Sequence, residues 1–404
     1  MLADVPVVFI LVGLAAYAVL AFADFGAGLW TLLAGGGRAD AEATRDHAHH
    51  AMGPVWEANH VWLIFVLVEC WTAYPSAFGS ITSTLAIPLF VAAVGIVLRG
   101  TTYALRSQLE TGRGPRAVER VFAFSSILVP FALGTVVGAI ASGRVPVGNA
   151  RGDRLTSWLN PTSVLIGALA VAAGAYLAAV YLAADARRLG EAALERDFRA
   201  RALAAGIVAG ALALAGLLVV REDVPALWHG LTRSGGLAMV CLSAAAGITT
   251  LALVARNRFG PARAFAALAV AAIIAGWAIA QEPRFLPGLT IEQAAAGRST
   301  LLAIVIATAA GAAVLLPSLA LLFGLFLHGR LDAGPARAPA APHLARVVDR
   351  RRGARGAFAA LTFVTGAGVT AFADPGWARA VGICCLFAAA ISTFGLVAAL
   401  DEEG

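Results

Sequence analysis

The sequence predicts an all-α, polytopic integral membrane protein, and three observations predict it. Hydrophobic residues make up 60% of the 404 residues and charged residues only 13%, a balance foreign to soluble globular domains. Apolar runs of about 20 residues, the length needed to span a bilayer core, recur from one end of the chain to the other. Those runs lack the strict apolar–polar alternation of a closed barrel, so helices are left to satisfy the backbone in lipid.

Taken in order, eleven spans are expected, at about 6–33, 56–74, 79–98, 119–141, 161–184, 202–220, 235–255, 262–280, 300–327, 357–373 and 378–399. The first follows Asp4 with no basic residue before it and is too long for a signal-peptide core, so it is expected to be retained as a helix. Pro75, Pro161, Pro261 and Pro375 fall at span edges, where a missing N–H costs little. Pro88, Pro130 and Pro317 fall inside spans and are expected to kink them. The last two spans are short and rich in Ala and Gly. The expected organisation is a transmembrane core over 1–328, a cytoplasmic Arg/Pro/Ala linker over 329–356 and a C-terminal transmembrane hairpin over 357–404. That makes about 9 core helices and about 11 in total.

Every one of the 30 basic residues is an arginine, and the net charge is +6. In a membrane protein that excess reads as topology and not as a nucleic-acid surface. Loops after the odd-numbered spans hold 22 arginines and loops after the even-numbered spans hold 8. The positive-inside rule then places the N-terminus outside and the C-terminus, Asp401–Gly404, in the cytoplasm. The linker arginines are expected to meet anionic lipid headgroups. Cys70, Cys241, Cys384 and Cys385 all lie in apolar runs and read as small buried hydrophobes, not a disulfide framework.

Polar chemistry concentrates in Pro54-Val55-Trp56-Glu57-Ala58-Asn59-His60-Val61-Trp62-Leu63-Ile64, which opens the second span. Ionisable groups are costly in a bilayer and are therefore functional candidates. Glu57 and His60 are three apart and share one helix face, while Trp62 and Glu69 share another. Asp24 lies 18 residues beyond Pro6, about 27 Å along the first helix, so it reaches the level of Glu57, Asn59 and His60. Gly26 and Gly28 permit close backbone approach beside it. Either the carboxylates form a proton-conducting or subunit-contact cluster, or they are helix ends wetted by the interface. Trp56 and Trp62 flank the cluster, and Trp71 and Tyr74 read as an interface belt. Arg99 and Arg106 read as topology residues on lipid phosphate, with pairing to Asp24 or Glu57 as the alternative. His60 is the only imidazole one or two turns inside a span; His47, His49 and His50 read as a solvated loop. With no histidine pair to face across helices, no haem and no metal is expected on this chain alone.

The second-span stretch resembles the signature of subunit II of the cytochrome bd-type quinol oxidases. Asp24-Phe25-Gly26-Ala27-Gly28 is similar to the end of that family's first helix, and Arg99-Gly100 with Arg106 to its segment closing helix three. Ser126, Pro130, Gly134 and Asn160-Pro161 are similar to the openings of its fourth and fifth helices. The resemblance covers about the first 185 residues. It implies two helical bundles plus a peripheral helix, in the bacterial cytoplasmic (inner) membrane. It implies a complex that oxidises quinol and reduces dioxygen to water with protons from the cytoplasm. Haem b and haem d would belong to the partner, subunit I. Glu57 matches the family's proton-path acid, with His60 and Asp24 as the candidate assistants. Trp56, Asn59, Trp62 and Arg99 are the candidate haem-proximal or subunit-contact residues. The chain departs from the family at Ala21-Phe22-Ala23 and at Ala104, where a carboxylate is usual; Thr101 or Thr102 with water would have to replace it. Two other readings stay open: a proton-coupled transporter or channel, which broken helices would favour, and a non-catalytic structural paralogue of subunit II.

Overall fold

The structure is a computed structural model that describes residues 2–34, 42–48, 56–106 and 114–327, with isolated positions after 357. Helix α1 is Val5–Leu32, with Pro6 in its first turn. A short helical segment follows at 42–48. Then come α2 (Trp56–Ala73), α3 (Pro75–Thr84), α4 (Ala86–Arg106), α5 (Gly114–Ala141), α6 (Pro161–Leu189) and α7 (Ala192–Asp223). The chain continues through α8 (Pro225–Leu231), α9 (Ser234–Ala255) and α10 (Phe259–Gln281). A two-stranded ribbon, β1 (Arg284–Leu286) and β2 (Leu289–Thr290), leads into α11 (Ile291–Ala294) and α12 (Arg298–Leu327). By its contacts the chain divides into Met1–Ala310 and Gly311–Gly404.

Seven of the described helices are long and apolar enough to cross a membrane, and the bent pair α3–α4 makes an eighth. The apolar stretch Asn59–Ala73 of α2, where the second span is expected, is shorter than these. The two spans expected at 357–373 and 378–399, apart from isolated positions, lie outside the described residues.

Local sequence explains the element ends. At α6 the Asn160 side chain accepts from the Ser163 backbone N–H, Pro161 occupies the first turn, and Gly190 closes the helix at φ 77°. These are the start and stop signals that satisfy otherwise orphaned backbone groups. The third span bends where Pro88 is expected to kink it, and sharply enough to break the helix. It is two helices bent by 82° at Leu85. Pro88 cannot donate to the Thr84 carbonyl and its ring crowds that oxygen, so the break falls before the proline. The proline thus starts a new helix. Pro130 and Pro317, in contrast, lie within continuous helices.

Helix α6 is the packing centre, against α1, α5, α7 and α10. Five of its seven buried residues from Ala173 to Ala179 are Ala or Gly, which lets neighbouring backbones approach. A Cβ placed on Gly26 would lie 2.0 Å from the Gly174 carbonyl oxygen, so α1 and α6 meet backbone to backbone. At the end of the bundle that holds Leu2, Tyr74 is fully buried and its hydroxyl donates to the Ala3 carbonyl. It is therefore a core residue, whereas Trp71 is 64% exposed, as a belt residue should be. At the same end Arg144 donates through both guanidinium Nη atoms to Asp223, at 2.9 and 2.6 Å. His47 also departs from the solvated-loop reading. It sits in the 42–48 segment, buried, with Nε2 3.0 Å from the Leu182 carbonyl and its ring 5.6 Å from Phe198.

Candidate functional site: a buried polar cluster between α1, α2, α4 and α5

The strongest polar constellation lies where the second half of α1 meets the starts of α2 and α5 and the middle of α4. Asp24 and Arg99 are both about 1% exposed, and Arg99 Nη2 donates to Asp24 Oδ1 at 2.8 Å. Arg99 Nε reaches Oδ2 at 3.3 Å, and Nη2 also donates to the Asp24 backbone carbonyl at 2.8 Å. Arg99 Nη1 donates to the Ser126 hydroxyl, which in turn donates to the Phe122 carbonyl at 2.6 Å. The guanidinium carbon lies 4.1 Å from the Phe122 ring centroid and 5.0 Å from that of Phe25. Arg99 thus meets Asp24 and Ser126, and not lipid phosphate. Burial of a charge is tolerated only with such pairing and hydrogen bonding.

Two sequence features make this geometry possible. A Cβ on Gly28 would sit 2.1 Å from Ser126 Oγ and 2.9 Å from Arg99 Nη1, so only glycine leaves room there. The Gly26–Gly174 approach brings α1 close enough to bury Asp24.

Helix α2 packs its opening turns on α1 at the same level. Asn59 is buried and donates to the Leu20 carbonyl at 3.3 Å. The His60 ring lies 6.1 Å from that of Tyr17 and 6.0 Å from that of Phe25. Trp62 meets Phe65 edge-on at 6.4 Å and packs against the cluster of Tyr17, Ala21, Phe25 and Val129. Trp56 and Glu57 belong to the first turn of α2, but their side chains lie outside the described residues. Thr101 and Thr102 donate to carbonyls of their own helix, Val97 at 2.9 Å and Arg99 at 2.7 Å. Glu69 faces elsewhere: the Thr308 hydroxyl of α12 donates to its Oε1, and Oε2 is buried without a hydrogen-bond partner.

An apolar cavity of about 310 Å³ adjoins the cluster, with Tyr17, Leu63, Cys70 and Trp277 among its walls. It was not visible in the sequence, because its walls come from runs that read uniformly as lipid-spanning. Among the described residues no group of three His, Cys, Asp or Glu side chains is placed to hold a metal ion. His47 is engaged by the Leu182 carbonyl and His60 is wedged by two rings.

Comparison with known proteins agrees with this architecture. Residues 2–326 match the family model for cytochrome bd terminal oxidase subunit II. A cytochrome bd ubiquinol oxidase subunit 2 of Bacillus subtilis (strain 168) is 27% identical over 120 residues, which is 30% of this chain and 34% of that relative. A second subunit II protein of the same organism, whose name carries menaquinol, is 22% identical over 219 residues, 53% of this chain and 61% of the relative. The matched stretches thus span about one third and three fifths of these curated relatives. The structure of bd oxidase from Geobacillus thermodenitrificans matches with a TM-score of 0.68 at 25% identity, over 81% of this chain and 99% of that one. With the motif around Asp24 and the opening of α2 in place on such a bundle, the chain belongs to the cytochrome bd terminal oxidase subunit II family.

Proposed function

We propose that the chain serves as the haem-free subunit II of a bd-type quinol:oxygen oxidoreductase, and that it moves protons from the cytoplasm toward the partner subunit. Haem b and haem d in that partner, subunit I, would supply the electron transfer and dioxygen chemistry; quinol is the substrate. Reducing dioxygen to water consumes protons as well as electrons, and a hydrocarbon interior offers none. Buried ionisable groups gathered at one level of the bundle are the natural means of supply.

The observation that carries this reading is the convergence of the Asp24–Arg99 pair, Asn59 and His60 on one level. In this reading Glu57, at the first turn of α2, takes up the proton. His60 passes it along the α1–α2 seam. Asp24, fixed through both oxygens by Arg99, sets the local field and assists without leaving its partner. Trp56, Asn59 and Trp62 hold the seam against the partner subunit, and Arg99 acts there through Asp24. The N-terminus lies outside and the C-terminus in the cytoplasm, which puts the arginine-rich loops and the start of α2 on the proton-uptake side.

The test is quinol-oxidase turnover of the complex carrying Glu57→Gln, with haem content read from the reduced-minus-oxidised spectrum. Turnover at least tenfold lower at unchanged haem content is expected, since positioned proton transfer is typically worth about two to four powers of ten. Full turnover would overturn the role of Glu57. Haem bands in the chain purified without its partner would overturn the haem-free assignment.

A further inference from the structure

A second charged site lies at the far end of the bundle from Leu2, where α6 ends and the α9–α10 turn passes beneath it. There a groove of about 480 Å³ is walled by Arg187, Arg188, Arg258 and Arg263, with Phe259 and Pro261 among its apolar lining. The carboxylates facing it are too few to neutralise it. Arg188 pairs with Asp185 at 2.9 Å, and Arg187 lies 3.6 Å from Glu195 while also donating to the Asn257 carbonyl. Arg258 makes no ion pair among the described residues, and Arg263 donates through Nη2 to the Tyr181 carbonyl at 3.2 Å while its buried Nε has no hydrogen-bond partner. The groove therefore carries more positive than negative charge among the described residues, two carboxylates against four arginines. Helix α10 starts in the same place without a side-chain cap and without an acidic residue in its first turn, so its positive end has no opposing charge within its own first turn.

One more feature selects among anions. Above the groove, α10 exposes Pro261, Ala264, Phe265 and Leu268, which at three- and four-residue spacing form one stripe. The stripe runs from the arginines into the span. A free phosphate would use the arginines and ignore the stripe. A phospholipid would use both, with its phosphate among the guanidinium groups and an acyl chain along α10.

We propose that this groove is a specific site for the phosphate of an anionic phospholipid, separate from the cluster at Asp24. Basic pockets between transmembrane helices are suited to such headgroups. The site needs no redox chemistry, so it stands whether or not the proton-path reading does.

The test uses the full chain, purified with its partner in detergent and titrated with dioctanoyl phosphatidylglycerol, dioctanoyl phosphatidylcholine or inorganic phosphate. Bound lipid is counted by native mass spectrometry. The expected result is one saturable phosphatidylglycerol and little phosphatidylcholine. The double variant Arg188→Gln/Arg258→Gln should bind the anionic lipid about 30-fold more weakly, which is about 2 kcal/mol for two charges near a headgroup. Arg258→Gln alone, which leaves every ion pair intact, should weaken it about fivefold. Arg151→Gln/Arg154→Gln removes the same charge at the opposite end and should change nothing. Equal binding by the double variant, an equal loss in the control, or equal affinity for phosphatidylcholine would overturn the proposal. Full competition by inorganic phosphate would overturn the lipid assignment in favour of a free-phosphate site.

Discussion

Arg99→Met would strip the Asp24 carboxylate of its counter-ion while leaving it buried. Both side chains are about 1% exposed, and Arg99 donates to both Asp24 carboxylate oxygens, to its backbone carbonyl and to Ser126. Water cannot replace those donors at that exposure. Breaking a buried pair from one side costs about 3–5 kcal/mol, because the surviving charge keeps its desolvation penalty. Asp24→Asn should cost a similar amount by orphaning the guanidinium. The double variant Asp24→Asn/Arg99→Met leaves no uncompensated charge, so its cost should fall short of the sum by about 2 kcal/mol or more. Reversible unfolding of the purified protein in mixed micelles, titrated with dodecyl sulfate and followed by circular dichroism, measures all three. Single variants that each cost less than about 1 kcal/mol, or three values that simply add, would refute the idea that the pair organises the cluster.

The remaining predictions address packing and titration. Gly26→Ala drives a methyl to 2.0 Å from a backbone oxygen of α6 and should cost more than about 3 kcal/mol in the same titration, whereas overpacking of side chains alone runs about 1–3. Gly247→Ala meets nothing within 4 Å and should gain about 0.5–1 kcal/mol; equal effects at the two glycines would remove backbone contact as the explanation. Thr308→Val removes the donor to Glu69 and should cost about 1 kcal/mol, and an unchanged unfolding midpoint would show that the α2–α12 bond contributes nothing. In the loop between α5 and α6, the backbone N–H of Thr156, and then that of Leu155, hold the Asp153 carboxyl below the usual carboxylate range. A lowered folded value means this turn is stabilised above the unfolded carboxylate value of about 3.9 and loses that support as pH falls through the folded value. Hydrogen exchange at the Thr156 amide should therefore lose protection on acidification; protection that rises instead would contradict the assignment.

Much of this architecture is legible in the sequence because lipid permits so few solutions. The long apolar helices before residue 328 stand close to where hydropathy puts them. The opening of α2 and Asp24 do meet at one level, because an axial rise fixes depth whatever the packing. Direction around the axis is harder to read. Arg99 sits at the edge of an apolar run, where an arginine ordinarily marks a boundary, and only the glycines at 26 and 28 hint that α1 lies close enough to receive it. Tyr74 and His47 read as surface residues for the same reason: their burial depends on Ala3 and Leu182, carbonyls that no side-chain pattern announces. Arg187 and Arg258 read as topology in the sequence, since two separate loops have to come together before their charges form one site.

The break at Leu85 bears on the rival reading of a transporter. Discontinuous helices form ion sites when their freed backbone groups face a cavity. Here the Ser80 and Ser83 hydroxyls accept from the Gly148 and Ala150 backbone N–H groups, at 2.9 and 2.8 Å, so the loop between α5 and α6 covers the bent segment. Those two serine hydroxyls are spent on the chain itself, while Thr84 Oγ1, next to the break, is buried without a hydrogen-bond partner. The polar groups around Asp24 are differently placed, on continuous helices and between them. Arg99 occupies both Asp24 oxygens, and Thr101 and Thr102 are committed to their own helix. In the proposed proton-path reading, Glu57 and His60 at the opening of α2 are therefore the positions at which to interrupt it.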